Sequence, residues 1–101
     1  MGHKIVWSDT AINDLKRICD DIAQHNSDAA RKIGEGIIDH VGILESFPFI
    51  GPAYPRGSGG PVRQIVFGTY RIFYEATEES VAILHVRHGA RDEPLFLKTP
   101  N

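Results

Sequence analysis

The chain has 101 residues, a formal net charge of −2 and one cysteine, Cys19. This length suits one domain, so we predict a single domain spanning residues 1–101. The lone cysteine excludes an internal disulfide, and together with the lack of an apolar signal segment it predicts a protein of the reducing cytoplasm. No stretch is apolar for long enough to cross a membrane, and the slight acidity is untypical of a general nucleic-acid binder.

Acidic and basic residues are distributed unevenly along the chain. Between Asp9 and Glu45 there are four lysines or arginines and eight aspartates or glutamates, whereas between Arg56 and Arg91 there are five arginines and three glutamates. The second half is therefore mildly basic. A basic surface can meet phosphate or an acidic partner, and the alternative is an ordinary solvated surface.

A short apolar strand is predicted at Lys4–Trp7, followed at once by a helix. Ser8 suits the N-cap, because its hydroxyl can accept a free backbone N–H at the helix start. Asn26 is predicted to end this helix, and Ser27 or Asp28 to cap the next one. The apolar residues between these points recur at helical spacing: Ile12, Leu15, Ile18, Cys19 and Ile22.

The second helix is predicted from about Asp28 to Glu45 or Ser46, and Pro48 stops it. Two amphipathic helices joined by so short a break form an antiparallel hairpin, whose apolar face needs a sheet to cover it. Glycine inside a helix costs roughly 1 kcal/mol relative to alanine, so the glycines here are expected to allow close approach between helices. They are Gly34, Gly36 and Gly42.

Three strands are predicted between Val62 and Arg91, because three runs there are rich in Val, Ile, Phe and Tyr. Turn signals at Gly68-Thr69 and at Thr77–Ser80 separate them. The element order is therefore β-α-α-β-β-β. It predicts an α+β fold in which a helical hairpin packs on an antiparallel sheet.

The first hairpin of this sheet has two possible registers. A two-residue loop at Gly68-Thr69 would set Arg63 opposite Tyr74, whereas a bulge at Gly68 would place Arg63 and Arg71 on one face. We favour the bulge, because it turns Tyr74 and its alternating neighbours, Tyr70 and Ile72, toward the helices and leaves Arg71 on the open face.

Two motifs carry a family resemblance that covers nearly the whole chain. They are Val62-Arg63-Gln64-Ile65-Val66-x-Gly68-x-Tyr70-Arg71-Ile72-x-Tyr74 and His88-Gly89-x-Arg91-Asp92. Together with Trp7-Ser8 before the first helix, they resemble the RelE/ParE superfamily of toxins. These are the toxic halves of bacterial toxin–antitoxin modules, often called plasmid stabilisation proteins.

The resemblance implies one fold with two activities. RelE-like toxins are mRNA interferases that cleave mRNA on the ribosome without a metal, whereas ParE-like toxins inhibit DNA gyrase; a small cognate antitoxin silences both. The motif His88-Gly89-x-Arg91-Asp92 resembles the ParE branch more than the RelE branch, and this implies gyrase or another protein as the target. RNA cleavage is the alternative, and an inactive interaction module is the third reading. No cofactor or metal is expected.

The resemblance also nominates site residues. For target binding they are Arg63, Arg71, Arg87 and Arg91, and for a nuclease they are Arg71 and Arg91. His88 and His85 are the candidate proton carriers of a nuclease, because histidine titrates in the range that acid–base catalysis needs. Arginine suits phosphate or carboxylate recognition because its planar fork donates two parallel hydrogen bonds. Each arginine could instead be a structural ion-pair partner.

An antitoxin helix is expected to cover apolar surface on the second helix, or an antitoxin strand to join an open sheet edge. The expected helix surface lies near Ile37, Val41 and Leu44.

Overall fold

A computed structural model of the protein describes residues 2–53 and 62–89. The elements follow the predicted β-α-α-β-β-β order, and the predicted fold class is confirmed. A short 3₁₀ turn at Gly42–Glu45 extends the second helix. The remaining elements are β1 (Lys4–Trp7), α1 (Asp9–Ala23), α2 (Ser27–Val41), β2 (Val62–Phe67), β3 (Tyr70–Ala76) and β4 (Ser80–His88).

Side chains cap both helices at their N-termini. The prediction for Ser8 is confirmed, since its Oγ accepts the Ala11 N–H at 3.0 Å. The cap of α2 is Asn26 and not Ser27 or Asp28, because the Asn26 carbonyl oxygen Oδ1 accepts the Ala29 N–H at 3.0 Å. Each cap satisfies a backbone donor that the helix itself leaves unpaired.

The helices approach each other closely at one of the predicted glycines. A Cβ atom at Gly34 would lie 3.0 Å from Cys19 Sγ on α1, so a larger residue would push the helices apart. Gly36 serves a different contact, because it receives the ring of Phe67 from β2. Gly42 has no atom near its Cβ position, so the close-approach explanation does not apply to it.

The four strands form one sheet in the order β1-β4-β3-β2. The predicted meander β2-β3-β4 is antiparallel throughout. β1 joins parallel to the first part of β4, from Lys4 opposite Ser80 to Trp7 opposite Ile83, so the complete sheet is mixed. Neighbouring parallel strands need a long connecting segment. Between β1 and β4 this segment includes the two helices and the hairpin β2-β3.

The register of the first hairpin corrects the sequence prediction. Arg63 lies opposite Tyr74 and Phe67 opposite Tyr70, so Gly68-Thr69 is a two-residue loop and the favoured bulge is wrong. Gly68 has φ 61°, the positive value that a type II′ turn requires at its first position. Arg63 therefore shares the helix-facing side with Tyr74, while Arg71 lies on the opposite face, as predicted.

A bulge does occur in this sheet, but in β4. Phe73 lies opposite His85 while the next residue, Tyr74, lies opposite Ile83, which leaves Leu84 as an extra residue. The extra residue changes which side chains of β4 face inward, so Ile83 and Val86 are both buried.

The core lies between the helical hairpin and the inner face of the sheet. The expected antitoxin surface near Ile37, Val41 and Leu44 is wrong, because these side chains are at most 1% exposed and belong to this core. Burying a side chain of this kind stabilises the fold by roughly 1.5–3 kcal/mol. From the sheet, the fully buried members are Ile72, Tyr74, Val81, Ile83 and Val86.

Within the described ranges, no helix combines the length and the apolar character needed to span a bilayer.

Candidate functional site

The outer face of the sheet, turned away from the helices, brings together two of the predicted arginines. Arg71 of β3 and Arg87 of β4 lie directly opposite each other. In the next row of the sheet, Gln64 and His85 flank Phe73 on either side. We call the four polar side chains the outer patch: Gln64, Arg71, His85 and Arg87.

Arg71 is held in a fixed orientation by its neighbours. Its Nε donates to Gln64 Oε1 at 3.0 Å, its Nη1 approaches the Gly89 carbonyl oxygen at 3.4 Å, and its guanidinium lies 5.0 Å above the Phe73 ring. Phe73 is fully buried and packs with Val62 in a small outer cluster. A guanidinium stacked on an immobile ring loses less entropy when it binds a partner.

Arg87 is held from the other side by Asp14 of α1. Its Nη1 donates to Asp14 Oδ1 at 2.8 Å, and its Nη2 lies 3.2 Å from His85 Nδ1. Asp14 is 4% exposed and accepts the Val86 backbone N–H as well. The sequence analysis missed Asp14, although its spacing from Ala11 and Ile18 places a carboxylate on the buried stripe of the helix.

His85 is a neutral imidazole at neutral pH. Burial, followed by the nearby Arg87 charge, lowers its pKa below the usual 6.5, and the Asp14 carboxylate opposes this only in part. Because a guanidinium only donates hydrogen bonds, Nδ1 is the acceptor from Arg87, and the proton of the neutral ring is on Nε2. A neutral histidine beside two arginines can accept a proton while the arginines stabilise negative charge.

Arg63 is separated from the outer patch by the sheet itself. Its Nη1 donates to the Gly51 carbonyl oxygen at 2.8 Å and to the Phe49 carbonyl oxygen at 3.2 Å, and its guanidinium lies 5.3 Å from the Phe49 ring centre. Tyr74 Oη accepts the Gly51 N–H at 2.9 Å, and burial raises the pKa of this phenol. Arg63 therefore fastens the segment before β2 to the sheet.

His88 also lies away from Arg71, because it pairs with Tyr70 on the inner side of the sheet. The two rings meet edge to face with centroids 5.3 Å apart, and among the described residues His88 Nδ1 is buried without a hydrogen-bond partner. Arg91 is outside the described residues. The structure thus separates His88 from Arg71, and the predicted nuclease set is not assembled on one face.

A second surface feature is an apolar groove of about 710 Å³ between α1 and α2. Lys16 and Asp20 on one helix and Arg31 and Glu35 on the other border it. Burial, then the Asp20 charge, raises the pKa of the Cys19 thiol, so Cys19 is an uncharged part of the wall. The principal apolar lining residues are Trp7, Ile12, Leu15, Cys19, Ala30 and Ile38.

No group of three or more His, Cys, Asp or Glu side chains in residues 2–53 and 62–89 is arranged to hold a metal ion.

Solved structures of toxin–antitoxin systems share this fold. A chain of the chromosomal ParDE toxin–antitoxin system from P. aeruginosa superposes with a TM-score of 0.73 at 20% identity, covering 86% of this chain and 96% of that chain. A chain of the RelBE2 toxin–antitoxin complex from Mycobacterium tuberculosis gives a TM-score of 0.68 at 23% identity, covering 87% and 99%. At these identities the likeness shows the fold alone. A search of curated proteins gives no significant match.

The sequence comparison with protein families is more specific. The family described as the ParE toxin of type II toxin–antitoxin systems, parDE, matches residues 5–93. This match covers both helices, the strands β2, β3 and β4, and all of β1 except its first residue. The chain belongs to the ParE toxin family.

Proposed function

We propose that this protein is a cytoplasmic toxin that inhibits DNA gyrase through its outer patch and is neutralised by a cognate antitoxin. The observation that carries the proposal is the opposed pair Arg71 and Arg87, each fixed by a neighbouring side chain. Membership of the ParE family supports gyrase as the target. The net charge of −2 also favours a protein surface over naked ribosomal RNA.

The outer patch has the composition of a protein-binding surface. Arginine is enriched at interface hot spots, where a guanidinium ordered before binding gives up little entropy. Val66, the cross-strand neighbour of Arg71 in β2, is 56% exposed and adds an apolar contact beside the two guanidinium groups. A partner with a carboxylate next to an apolar side chain would match this arrangement.

Metal-independent RNA cleavage is the second candidate, and one observation favours it. His85 is neutral and lies in the same patch as Arg71 and Arg87. This pairs a base able to accept the proton of a 2′-hydroxyl with two cations able to stabilise a phosphate. Of the two histidines that the sequence suggested as proton carriers, His85 and His88, this candidate uses His85.

One purified sample separates the two candidates. We expect the protein to block supercoiling by gyrase and to trap cleaved DNA, and to leave mRNA intact on programmed ribosomes. Arg71→Ala should abolish gyrase inhibition, whereas Lys32→Ala removes an equal charge from the exposed surface of α2 and should have no effect. RNA cuts that depend on His85 would instead support the nuclease. Silence in both assays from folded protein would indicate an inactive toxin fold.

The groove between α1 and α2 is the surface that we propose for the antitoxin. Its apolar floor suits the apolar face of an amphipathic helix, and its border carries two positive and two negative side chains. Ile38 is 52% exposed and continues the apolar lining of the groove, so a helix seated in the groove would cover it. The expected antitoxin helix therefore carries an apolar stripe with charges of both signs beside it.

Co-expression with the product of the adjoining antitoxin gene tests this surface. Ile38→Glu should remain toxic but escape neutralisation, because a charge would be buried in the complex without a partner. Phe47→Glu is the matched control, since Phe47 is 60% exposed and lies outside the groove. Equal neutralisation of both variants and of the native protein would exclude the groove as the docking site.

A further inference from the structure

Among residues 2–53 and 62–89, no strand pairs with the part of β4 after Ile83 on the β1 side. β1 pairs with β4 only as far as Ile83, and the last strand-like bond runs from the Ser8 N–H to the Ile83 carbonyl oxygen at 3.0 Å. After Ile83, the N-cap Ser8 and helix α1 lie along this edge of β4. Ser8 Oγ donates to the Leu84 carbonyl oxygen at 3.1 Å, and Asp14 Oδ2 accepts the Val86 N–H at 3.1 Å.

The two oxygens of Asp14 have different partners. Oδ2 satisfies the backbone of β4, which any side chain with a carbonyl oxygen could do. Oδ1 binds Arg87 Nη1 at 2.8 Å, and this contact benefits from the full negative charge. A carboxylate that is 4% exposed is costly to bury, so a neutral residue would serve the backbone alone at lower cost.

Arg87 then connects Asp14 to His85. Its Nη2 lies 3.2 Å from His85 Nδ1, while Asp14 Oδ2 lies 3.6 Å from the same nitrogen. The guanidinium is thus bound at one end by a carboxylate and at the other by an imidazole. Lysine presents all its donors from a single nitrogen on a flexible stem, so it does not reproduce the fixed planar geometry of this two-point contact.

Asp14 also reduces the repulsion between the two arginines of the outer patch. Like charges at directly opposed cross-strand positions destabilise a sheet, and Arg71 and Arg87 are such a pair. The Asp14 carboxylate, in direct contact with Arg87, cancels one of these charges. The patch therefore keeps two ordered guanidinium groups with a smaller net charge than they alone would give.

We infer that Asp14 is a positioning residue, which orients Arg87 and through it His85 for contact between the outer patch and the target. The inference rests on the proposed function, because it concerns the patch through which the toxin acts. It adds a residue of the first helix, on the far side of the β4 edge, to a site otherwise made by the sheet. Target contact by the outer patch therefore depends on the orientation of Arg87 and not on the total positive charge of the patch.

Asp14→Asn tests this inference, because the amide keeps an oxygen for the Val86 N–H and removes the charge that binds Arg87. We expect the dose of toxin needed for growth arrest to rise roughly ten- to a hundredfold, as for loss of a charged hydrogen bond. NMR should show the Arg87 side-chain N–H signals less ordered. Asp39→Asn removes an equal, exposed charge from the second helix and should match the native protein in both measurements.

The outcomes separate the inference from the proposed function. Unchanged Arg87 order in Asp14→Asn would overturn the inference, whatever the toxicity. A more potent Asp14→Asn toxin would also overturn it, since added positive charge would then matter more than orientation. If the native protein arrests no growth, the proposed function fails, while the NMR data still decide whether Asp14 orients Arg87.

Arg87→Lys keeps the test decisive if Asp14→Asn does not fold. It preserves the charge beside Asp14 but not the planar fork that fixes the guanidinium between Asp14 and His85. We expect a loss of potency similar to that of Asp14→Asn with little change in thermal stability. Native potency in Arg87→Lys would overturn the inference.

Discussion

Arg63 and Arg71 lie on neighbouring strands of one hairpin, but on opposite faces of the sheet. Arg63 donates to two carbonyl oxygens of its own chain and holds the Phe49–Gly51 segment against the sheet. Arg71 is ordered by Gln64 and by the Phe73 ring on the outer face. Residue type alone therefore does not separate a structural arginine from a candidate target-binding one, whereas the face of the strand does.

The largest difference between the faces should appear at two successive residues of β3. Ile72→Ala removes a fully buried side chain and should lower the free energy of unfolding by about 2–5 kcal/mol, whereas Arg71→Ala should cost roughly 1 kcal/mol or less. Urea unfolding measures both values. Compared at equal amounts of folded protein, Arg71→Ala should lower toxicity more than Ile72→Ala does. Equal losses of unfolding free energy in the two variants would mean that Arg71 contributes as much to the fold as Ile72.

Gly51→Ala probes the segment that Arg63 holds. A Cβ atom there would lie 2.5 Å from the Gln64 carbonyl oxygen and 2.8 Å from Tyr74 Oη. Because the carbonyl belongs to β2 and cannot move freely, we expect a loss of about 1–3 kcal/mol in unfolding free energy. Gly42→Ala is the control, since no atom lies near its Cβ position, and a similar loss there would refute the steric explanation.

Arg63→Ala removes the charged donor from the same segment. The expected loss is about 1–2 kcal/mol, because two carbonyl oxygens lose a charged hydrogen bond at a partly exposed site. Gyrase inhibition per folded molecule should be unchanged. If Arg63→Ala abolishes inhibition without lowering the melting temperature, Arg63 belongs to the target-binding surface after all.

The smallest expected effect is a pH dependence from the outer face. Burial and Arg87 lower the pKa of His85 below 6.5, so the unfolded chain takes up this proton more readily than the folded chain. The contribution of His85 to the free energy of unfolding is therefore fully present above about pH 6.5 and is lost as the pH falls below that value. The melting temperature should decrease on acidification through this window. The decrease should be smaller in His85→Gln, and an identical slope in that variant would assign it to other groups.

The sequence predicted the elements and their order because apolar spacing and capping residues are local signals. It could not decide between a two-residue loop and a bulge at Gly68, because glycine at that position suits both. The actual bulge at Leu84 was hidden in the apolar run Val81-Ala82-Ile83-Leu84, where no polar residue reveals the alternation.

The candidate site was predictable only in part, for a physical reason. Arginines near the ends of strands are visible in the sequence, but the partners that order them come from other elements. Asp14 is separated from Arg87 by most of the chain, and it stands among other aspartates on the same helix. The one sequence feature that marks Asp14 is its position on the apolar stripe of the helix. A carboxylate at such a position is expected to be buried, and a buried charge needs a partner.

The extra residue Leu84 also affects how this protein can change in length. If Leu84 were deleted while the pairing of Ser80–Ile83 was kept, Ile83, His85 and Val86 would alternate regularly, so every later side chain of β4 would keep its face. Val86 would stay buried, and Arg87 would stay on the outer face. One missing codon here would thus remove a bulge, whereas a residue missing from a strand without an extra residue, such as β3, would exchange the faces of every later side chain. We therefore expect β4 to tolerate the loss of one residue better than β3.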